Sequence, residues 1–173
     1  MPVQLLAVCG SLRAESSNVK LLQAAARLAP AGVEVVFFTE LAVLPHFNPD
    51  DESVGHPAVK AWQAALTSAA GVLVCSPEYA HGIPGSLKNA LDWVVGSGEF
   101  VGKPVALLNA SPRSVHAAAQ LHEVLKTMDA RIVSSVAVPV AGRKLDVAGI
   151  VADPTLAGPV RDAVSAVVAG RMA

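Results

Sequence analysis

The sequence predicts an α/β fold in which helices cover both faces of one parallel β-sheet. Short apolar runs rich in β-branched residues alternate with segments whose apolar residues recur at helical spacing. Hydrophobic residues make up 53% of the chain, and much of this fraction is Ala and Val, which suits helices packed closely on a buried sheet. At 173 residues the chain can bury a full core, and we expect residues 1–173 to form a single domain.

Five segments have the composition of buried parallel strands, each a short apolar run bounded by Gly, Pro, Asn or charged residues. The predicted strands are Val3–Cys9, Val33–Phe38, Val72–Cys75, Pro104–Asn109 and Arg131–Val138. The apolar amino terminus lacks a basic leader and a cleavage site. It is therefore interpreted as the first strand rather than as a signal peptide.

Helix-period segments lie between most of these strands, and one more follows the last strand. The predicted helices lie near Asn18–Ala29, Pro57–Ala70, Ser86–Val95, Pro112–Met128 and Pro154–Ala169. The apolar stripe of the first helix is predicted at Val19, Leu22, Ala26 and Ala29. That of the third is predicted at Ile83, Leu87, Leu91 and Val94 or Val95. The connections 39–56 and 141–154 contain no predicted element, and loops of this length are usually functional or covered by a partner.

Right-handed crossovers between five parallel strands favour the strand order 2-1-3-4-5. This is the flavodoxin-like arrangement, a three-layer sandwich with helices on both faces of a five-stranded sheet. Strand two is added on one side of strand one, and strands three to five are added on the other side. The order of strand addition therefore reverses between strands one and three. Ligands of open α/β sheets bind at such a switch point, outside the carboxyl ends of the strands. Two Gly-containing loops follow these two strands, so the fold and the loops indicate the same site.

The charge composition restricts the partners that we expect. The formal net charge is −1 and no run of basic residues is present. This argues against nucleic acid or an anionic membrane as a partner, because affinity for both depends on clustered Lys and Arg. No apolar run approaches the ~20 residues of a membrane span, and we expect a soluble, cytoplasmic protein. Cys9 and Cys75 end two predicted strands and are interpreted as inert apolar fillers, since a structural disulfide is unusual in a reducing compartment.

The loop after the first predicted strand, residues 10–18, carries the donor groups of a phosphate site. Ser11, Ser16 and Ser17 supply hydroxyl groups, and Arg13 can fork onto two phosphate oxygens. The helix that follows offers free backbone N–H groups at its positive end. Gly10 is expected to permit the sharp turn out of the strand. A plain Ser/Asn helix cap is the alternative explanation of the same residues.

Other nucleotide-binding and catalytic motifs are excluded by spacing. No G-x-G-x-x-G follows the first strand, and Gly82–Lys88 is too short for the phosphate loop of an NTP-binding protein. There is no G-x-S-x-G nucleophile elbow. The five histidines are scattered, and no His, Cys, Asp or Glu group has the spacing of a metal site. The sequence therefore marks no pair of a nucleophile and a general base.

The second loop belongs to the segment Ser76–Trp93, which leads from the third strand into an amphipathic helix. Pro77 and Pro84 are expected to stiffen this loop, and Gly85 to let the helix approach closely.

Together the two loops resemble those of the NADPH-dependent FMN reductases. The family carries G-S-L-R-x-x-S-x-N after its first strand, and this chain has the same pattern over residues 10–18. The family also carries P-E-Y-N-x-x-x-P-G-x-L-K-N-A-x-D-W after its third strand. The pattern is present over residues 77–93, except that Ala80 replaces the Asn. The segment Leu44–Asp50 looks like the family's substrate-side loop.

The resemblance implies FMN as the cofactor and NADPH or NADH as the electron donor. It implies that Ser11, Arg13, Ser16 and Asn18 hold the phosphate and part of the ribityl chain, with Leu12 and Ser17 as further contacts. Around the flavin ring it implies Pro77, Glu78, Tyr79 and Ala80, and a third contact after strand four at Ala110 and Ser111. No residue is assigned a catalytic role. The alternative roles are a loop-bracing carboxylate for Glu78 and a subunit-interface aromatic for Tyr79.

The implied function is hydride transfer from NAD(P)H to FMN and then to quinones, azo compounds, chromate or free flavin, with ping-pong kinetics. The resemblance further implies a homodimer or homotetramer with a shared flavin pocket. A flavin-binding electron carrier or sensor without a substrate of its own is the alternative. Near-neutral charge argues against a carrier, which benefits from a strong field of one sign for docking. A domain that has lost FMN is a third interpretation, against which the intact phosphate loop argues.

Overall fold

The computed structural model describes residues 2–171, apart from the side chains of residues 52–54. Its strands are β1 (Val3–Cys9), β2 (Val33–Phe38), β3 (Gly71–Cys75), β4 (Pro104–Asn109) and β5 (Arg131–Ala137). They form one parallel sheet in the order β2-β1-β3-β4-β5. The predicted flavodoxin-like strand order is therefore confirmed.

The helices agree with the predicted ones to within about two residues at each end, except that the third ends at Asp92 rather than Val95 and the fourth begins later than expected. They are α1 (Ser17–Leu28), α2 (Pro57–Ser68), α3 (Gly85–Asp92), α4 (Val115–Thr127), α5 (Val147–Ala152) and α6 (Pro154–Gly170). Helix α5 lies in the connection for which no element was predicted, because six residues are too few to show an apolar period. Helix α4 begins later than expected, after a turn in which Ser114 N–H donates to the Ser111 carbonyl over 3.0 Å. The connection 39–56 contains two short 3₁₀-helices, Leu41–Val43 and Pro49–Val54.

Alternate residues of the three central strands face two separate cores, which makes the fold a three-layer sandwich. Leu6, Val8, Val72, Val74, Val105 and Leu107 face the layer of α2, α3 and α4. Leu5, Ala7, Leu73, Cys75, Ala106 and Leu108 face the layer of α1, α5 and α6. All twelve are at most 5% exposed. Full burial of a Val or Leu side chain stabilises a fold by roughly 1.5–3 kcal/mol, so these strands anchor the loops at their ends.

Helix α1 buries a different stripe from the predicted one. Its buried apolar residues are Leu21, Leu22, Ala24, Ala25 and Leu28. Of the predicted stripe only Leu22 is fully buried, because α1 contacts α5 and α6 as well as the sheet. In α3 and the residues around it the prediction is confirmed. There Ile83, Leu87, Leu91 and Val94 are buried, whereas Val95 is 49% exposed.

The sheet register brings the two predicted loops to the same level. Cys9 and Cys75 are partners at the ends of β1 and β3. One residue further on, Gly10 N–H donates to the Cys75 carbonyl over 2.9 Å. Both loops therefore leave adjacent strands at one point. Within residues 2–171 we find no helix with the length and apolar character needed to cross a membrane.

Candidate functional site

A cleft of about 400 Å³ opens at the carboxyl ends of β1, β3 and β4. This volume lies in the usual range of small-molecule sites, about 300–1,000 Å³. A larger depression of about 670 Å³ lies at the amino ends of β4 and β5, beside Lys103, Pro104 and Arg131. Because ligands of open α/β sheets bind at the carboxyl ends of strands, the smaller cleft is the candidate site.

The cleft brings together ten of the twelve residues expected from the sequence. They are Ser11, Arg13, Ser16, Ser17, Asn18, Pro77, Glu78, Tyr79, Ala110 and Ser111. The other two, Leu12 and Ala80, do not line it. Leu12 is 57% exposed, and Ala80 lies at the exposed tip of a turn. Four further lining residues were not expected from the sequence, namely Glu15, Ser114, Ala141 and Gly142.

The first loop leads into the amino terminus of α1, where an anion meets free N–H groups and the positive end of the helix dipole. Ser16 is the N-cap, and its hydroxyl accepts the N–H of Asn18 over 3.2 Å. The hydroxyl of Ser11 accepts the N–H of Arg13 over 3.3 Å. The capping alternative is thus observed for Ser16. In this arrangement the Arg13 side chain is exposed at the edge of the cleft.

An acidic residue also borders this end of the cleft. Glu15 is highly exposed and lies 2.9 Å from Lys20. The hydrogen bond and the charge of Lys20 lower the pKa of the Glu15 carboxyl. Together Glu15, Lys20 and Arg13 leave an excess of positive charge at the amino terminus of α1. This arrangement favours a phosphate.

Two free thiols lie beneath the first loop. Cys75 is fully buried, and its S–H donates to Oδ1 of Asn18 over 3.2 Å. Burial raises the pKa of the Cys75 thiol well above its ordinary value and also raises that of Cys9. Raised values disfavour the reactive thiolate. The interpretation of both residues as inert fillers agrees with this placement.

The glycines of the two loops have roles other than those predicted. Gly10 is not in the left-handed region. A Cβ at this position would lie 2.6 Å from Ser76 Oγ and 3.0 Å from Leu87 Cδ2. Gly10 is therefore needed for the close approach of the two loops rather than for a turn. At Gly85 an added Cβ would meet no atom within 4 Å, so the expected close approach of the helix at Gly85 is wrong.

The second loop is a tight turn fixed to α4. Tyr79 and Gly82 exchange two backbone hydrogen bonds of 2.9 and 3.0 Å. The residues between them, Ala80 and His81, both have positive φ, 49° and 59°, as in the turns of two-residue hairpins. A carboxylate oxygen of Glu78 accepts the N–H of Ala117 over 2.9 Å. The bracing role considered for Glu78 is therefore observed.

The third contact follows β4 and explains two of the unexpected lining residues. The side chain of Asn109 accepts the N–H of Ser111 over 3.0 Å and donates to the Ser114 carbonyl over 3.2 Å. The Ala110 carbonyl accepts the N–H groups of Val140 and Ala141. These bonds draw the end of β5 to the cleft. No motif marked Ala141, but its place just after a strand end could have indicated it.

The long connection 39–56 is held to α3 through Asn89. Its Oδ1 accepts the N–H of Phe47 over 2.7 Å, and its Nδ2 donates to the Pro45 carbonyl over 2.8 Å. The indole N–H of Trp93 donates to the same carbonyl over 2.8 Å. The segment that resembles a substrate-side loop is thus fixed to the helix that follows the second loop.

Comparison with known proteins assigns the family. A model of the NADPH-dependent FMN reductase family matches residues 3–143. The chain belongs to this family. It is 37% identical to an NAD(P)H-dependent FMN reductase of Pseudomonas aeruginosa over 124 residues, which cover 69% of this chain and 66% of the relative. It is 36% identical to a 2-hydroxy-1,4-benzoquinone reductase of a Burkholderia species over 126 residues, which cover 70% of this chain and 68% of the relative.

A solved structure extends the similarity to nearly the whole chain. The flavoenzyme NAD(P)H:(acceptor) oxidoreductase of Paracoccus denitrificans is 26% identical, with a TM-score of 0.78, covering 98% of this chain and 97% of the other. The matched sequences span about two thirds of the two relatives' lengths. These matches confirm the expected family of oxidoreductases, with FMN as the cofactor and NAD(P)H as the donor.

The residues around the cleft fit FMN. At one end, serine hydroxyls, Arg13 and the amino terminus of the twelve-residue helix α1 suit a phosphate. At the other end, Pro77, Tyr79 and Ala110 supply apolar surface for a flat ring. The cleft thus contains both the donors and the apolar surface that the two parts of the cofactor require.

Proposed function

We propose that this chain is an FMN-dependent oxidoreductase that takes hydride from NAD(P)H and reduces small organic acceptors, foremost quinones. The observation that carries the proposal is the single cleft at the switch point of the sheet. It joins a phosphate-type helix terminus to the apolar surface of a second strand-end loop.

In this proposal the loop of β1 anchors the phosphate. The guanidinium of Arg13 and the hydroxyls of Ser11, Ser16 and Ser17 bind its oxygens, and Asn18 holds part of the ribityl chain. Asn18 is buried and its Oδ1 is already fixed by the Cys75 thiol, so its side chain is held in place before the cofactor arrives. Leu12 would contribute through its backbone alone, since its side chain is exposed.

The loop of β3 and the turn after β4 would border the ring. Glu78 acts through the loop that it braces, and Pro77, Ala110 and Ser111 form walls. Tyr79 and Ala80 lie at the open rim. When bound, FMN supplies the chemistry, accepting hydride from the donor and passing electrons to the acceptor. The chain's own task is to hold the cofactor with one face accessible to both molecules in turn, as ping-pong kinetics require.

Quinones are the acceptor class best supported. A relative that is 36% identical is a 2-hydroxy-1,4-benzoquinone reductase. A flat, uncharged acceptor also suits an open cleft whose rim carries Tyr79, an exposed aromatic residue. Azo compounds, chromate and free flavin are further candidate acceptors.

We further propose that the 173 residues act as one domain in a cytoplasmic homodimer or homotetramer that shares the flavin pocket. Tyr79, Leu12 and Val115 are 48–58% exposed, and they belong to the cleft loops and to the start of α4. Where such side chains form one contiguous patch, they mark a surface that a partner covers. Analytical ultracentrifugation of the FMN-loaded protein tests this directly. A monomer at micromolar concentration would reject the shared pocket.

The deciding experiment is anaerobic stopped-flow absorbance of the FMN-loaded protein mixed with NADPH and, separately, with NADH. Rapid bleaching of the flavin band, followed by reoxidation on addition of a benzoquinone, is the expected result. A series of parallel double-reciprocal plots in steady state would support the ping-pong order. A flavin that stays oxidised with both donors would instead favour the carrier or sensor, and a protein without FMN affinity would refute the proposal.

A further inference from the structure

Three side chains that can ligate a metal converge beside the cleft, on the second loop and the first turn of α4. Glu78, His81 and His116 each present one ligand atom, and these atoms all lie within 4.8 Å of one another. The two imidazole rings are stacked, with centroids 4.3 Å apart and an interplanar angle of 21°. Two of the five histidines, which lie far apart in the sequence, are thus adjacent in the fold.

We propose that Glu78, His81 and His116 bind a late divalent transition-metal ion such as Zn²⁺. Imidazole nitrogens and a carboxylate oxygen are the ligands from which three-ligand zinc sites are built, with water in the fourth position. Among first-row divalent ions such nitrogen-rich sets favour the late members of the series over Mn²⁺ and Fe²⁺. Mg²⁺ and Ca²⁺ are disfavoured because they require mostly oxygen ligands.

The scaffold under these ligands is fixed before any ion binds. His81 has a φ of 59° and belongs to the turn closed by the Tyr79–Gly82 hydrogen bonds. The same loop is tied to α4 a second time, because Ile83 N–H donates to Oε1 of Gln120 over 2.7 Å. A left-handed conformation at a residue other than glycine costs free energy and persists only where the surroundings enforce it. These backbone contacts therefore keep Glu78, His81 and His116 near one another before an ion binds.

Only small side-chain movements separate the observed arrangement from a coordinated one. At Zn–N distances of about 2.0–2.1 Å, the ligand atoms of a tetrahedral ion lie roughly 3.3 Å apart. His81 and His116 are both exposed, so their rings can turn out of the stack toward a common ion. One carboxylate oxygen of Glu78 accepts the Ala117 N–H. The other oxygen and the remaining lone pairs of the carboxylate can bind the ion.

A bound ion would join the second loop to α4 through side chains as well as backbone. This would make the loop more rigid, and an ion that binds only the folded chain also raises the melting temperature by mass action. Glu78 lines the cleft but neither histidine does, so the proposed hydride transfer does not require the ion.

The test is a Zn²⁺ titration of the untagged, chelator-treated, FMN-loaded protein against a chromophoric competitor. We expect saturable binding of one ion per chain. His81→Ala and His116→Ala should each weaken it at least about tenfold, since loss of even an outer partner of a metal ligand costs about 10–100-fold. His122→Ala is the matched control, an exposed histidine on the same helix outside the cluster, and should retain the affinity.

Glu78→Gln separates ligation from folding. A glutamine oxygen can still accept the Ala117 N–H, so the metal-free variant should melt close to the parent while binding Zn²⁺ more weakly. Absence of saturable binding in the parent, or unchanged affinity in the His81→Ala/His116→Ala double variant, would overturn the proposal. Reduction of the flavin by NADPH is expected in the metal-free protein. Failure of the titration would therefore not count against the reductase function.

Discussion

Replacing Gly10 by Ala is expected to destabilise the fold and the cleft together, because Gly10 lies where the two loops meet. The added Cβ would lie 2.6 Å from Ser76 Oγ, 3.1 Å from Ser76 Cβ and 3.0 Å from Leu87 Cδ2. Leu87 is fully buried and Ser76 is 8% exposed, so neither side chain can move into solvent. Overpacking of this kind costs about 1–3 kcal/mol.

For a chain of this size, a loss of about 2 kcal/mol lowers the melting temperature by about 4–8 °C. The strain also displaces Ser11 and Arg13, which follow Gly10 directly, so FMN affinity is expected to fall as well. Urea unfolding of the FMN-free protein measures the first effect. A titration of flavin fluorescence measures the second.

Gly85→Ala is the matched control for this substitution. No atom lies within 4 Å of the added Cβ, and the position begins α3. Ala at a compatible site stabilises by about 0.4–1 kcal/mol, mainly by restricting the unfolded chain. The reasoning is refuted if Gly10→Ala unfolds at the same urea concentration as the parent, or if Gly85→Ala is destabilised equally.

Three further substitutions test the site and its supports. Arg13→Ala should raise the FMN dissociation constant about 10- to 100-fold, because a hydrogen bond to a charged group contributes about 1.5–3 kcal/mol. Asn89→Ala should lower the free energy of unfolding by about 2 kcal/mol in a urea titration, since two hydrogen bonds of about 1 kcal/mol each are lost and the Phe47 N–H is left without its acceptor. Asp153→Ala should destabilise α6 more at pH 7 than in strong acid. The Thr155 hydroxyl and N–H lower the pKa of Asp153 below its ordinary value of 3.8, so its contribution to stability is present above that pH and is lost as the pH falls through the lower value in the folded protein.

Each of these substitutions has a control in the same chain. Arg27→Ala removes an exposed cation from the last turn of α1 and should leave FMN affinity unchanged. Gln63→Ala removes an exposed hydrogen bond to Ser97 and should cost far less than Asn89→Ala. Asp153→Asn keeps a capping oxygen without a titrating group, so it should be more stable than Asp153→Ala at pH 7 but should lack the parent's loss of stability in acid at this site. An Arg27→Ala effect as large as that of Arg13→Ala would contradict the phosphate role.

The sheet and the position of the cleft could be predicted from the sequence because both depend on local patterns. Apolar runs mark parallel strands, and the ends of neighbouring strands meet at one edge. This reasoning located β1 to β5 to within a residue at each end. The resemblance to the reductase family was needed to name ten of the fourteen residues that line the cleft.

The features that could not be predicted depend on contacts between distant segments. Whether a glycine is required at Gly10 or at Gly85 depends on which side chain stands opposite, and that is a property of the packed loops. Ala141 reaches the cleft through a hydrogen bond to the Ala110 carbonyl. The pairing of His81 with His116 follows from the way α4 docks on the second loop. Residue types and spacing along the chain record none of these contacts.

The dispersed origin of the cleft has a consequence for how the protein matures. Its walls come from the ends of β1, β3, β4 and β5, which span most of the chain. Contacts between such distant segments form late in folding, because the loops between them must close first. We therefore expect FMN to join a chain that is already folded rather than to guide its folding. Supplying the cofactor during synthesis should then change the final occupancy of the protein but not the rate at which it folds.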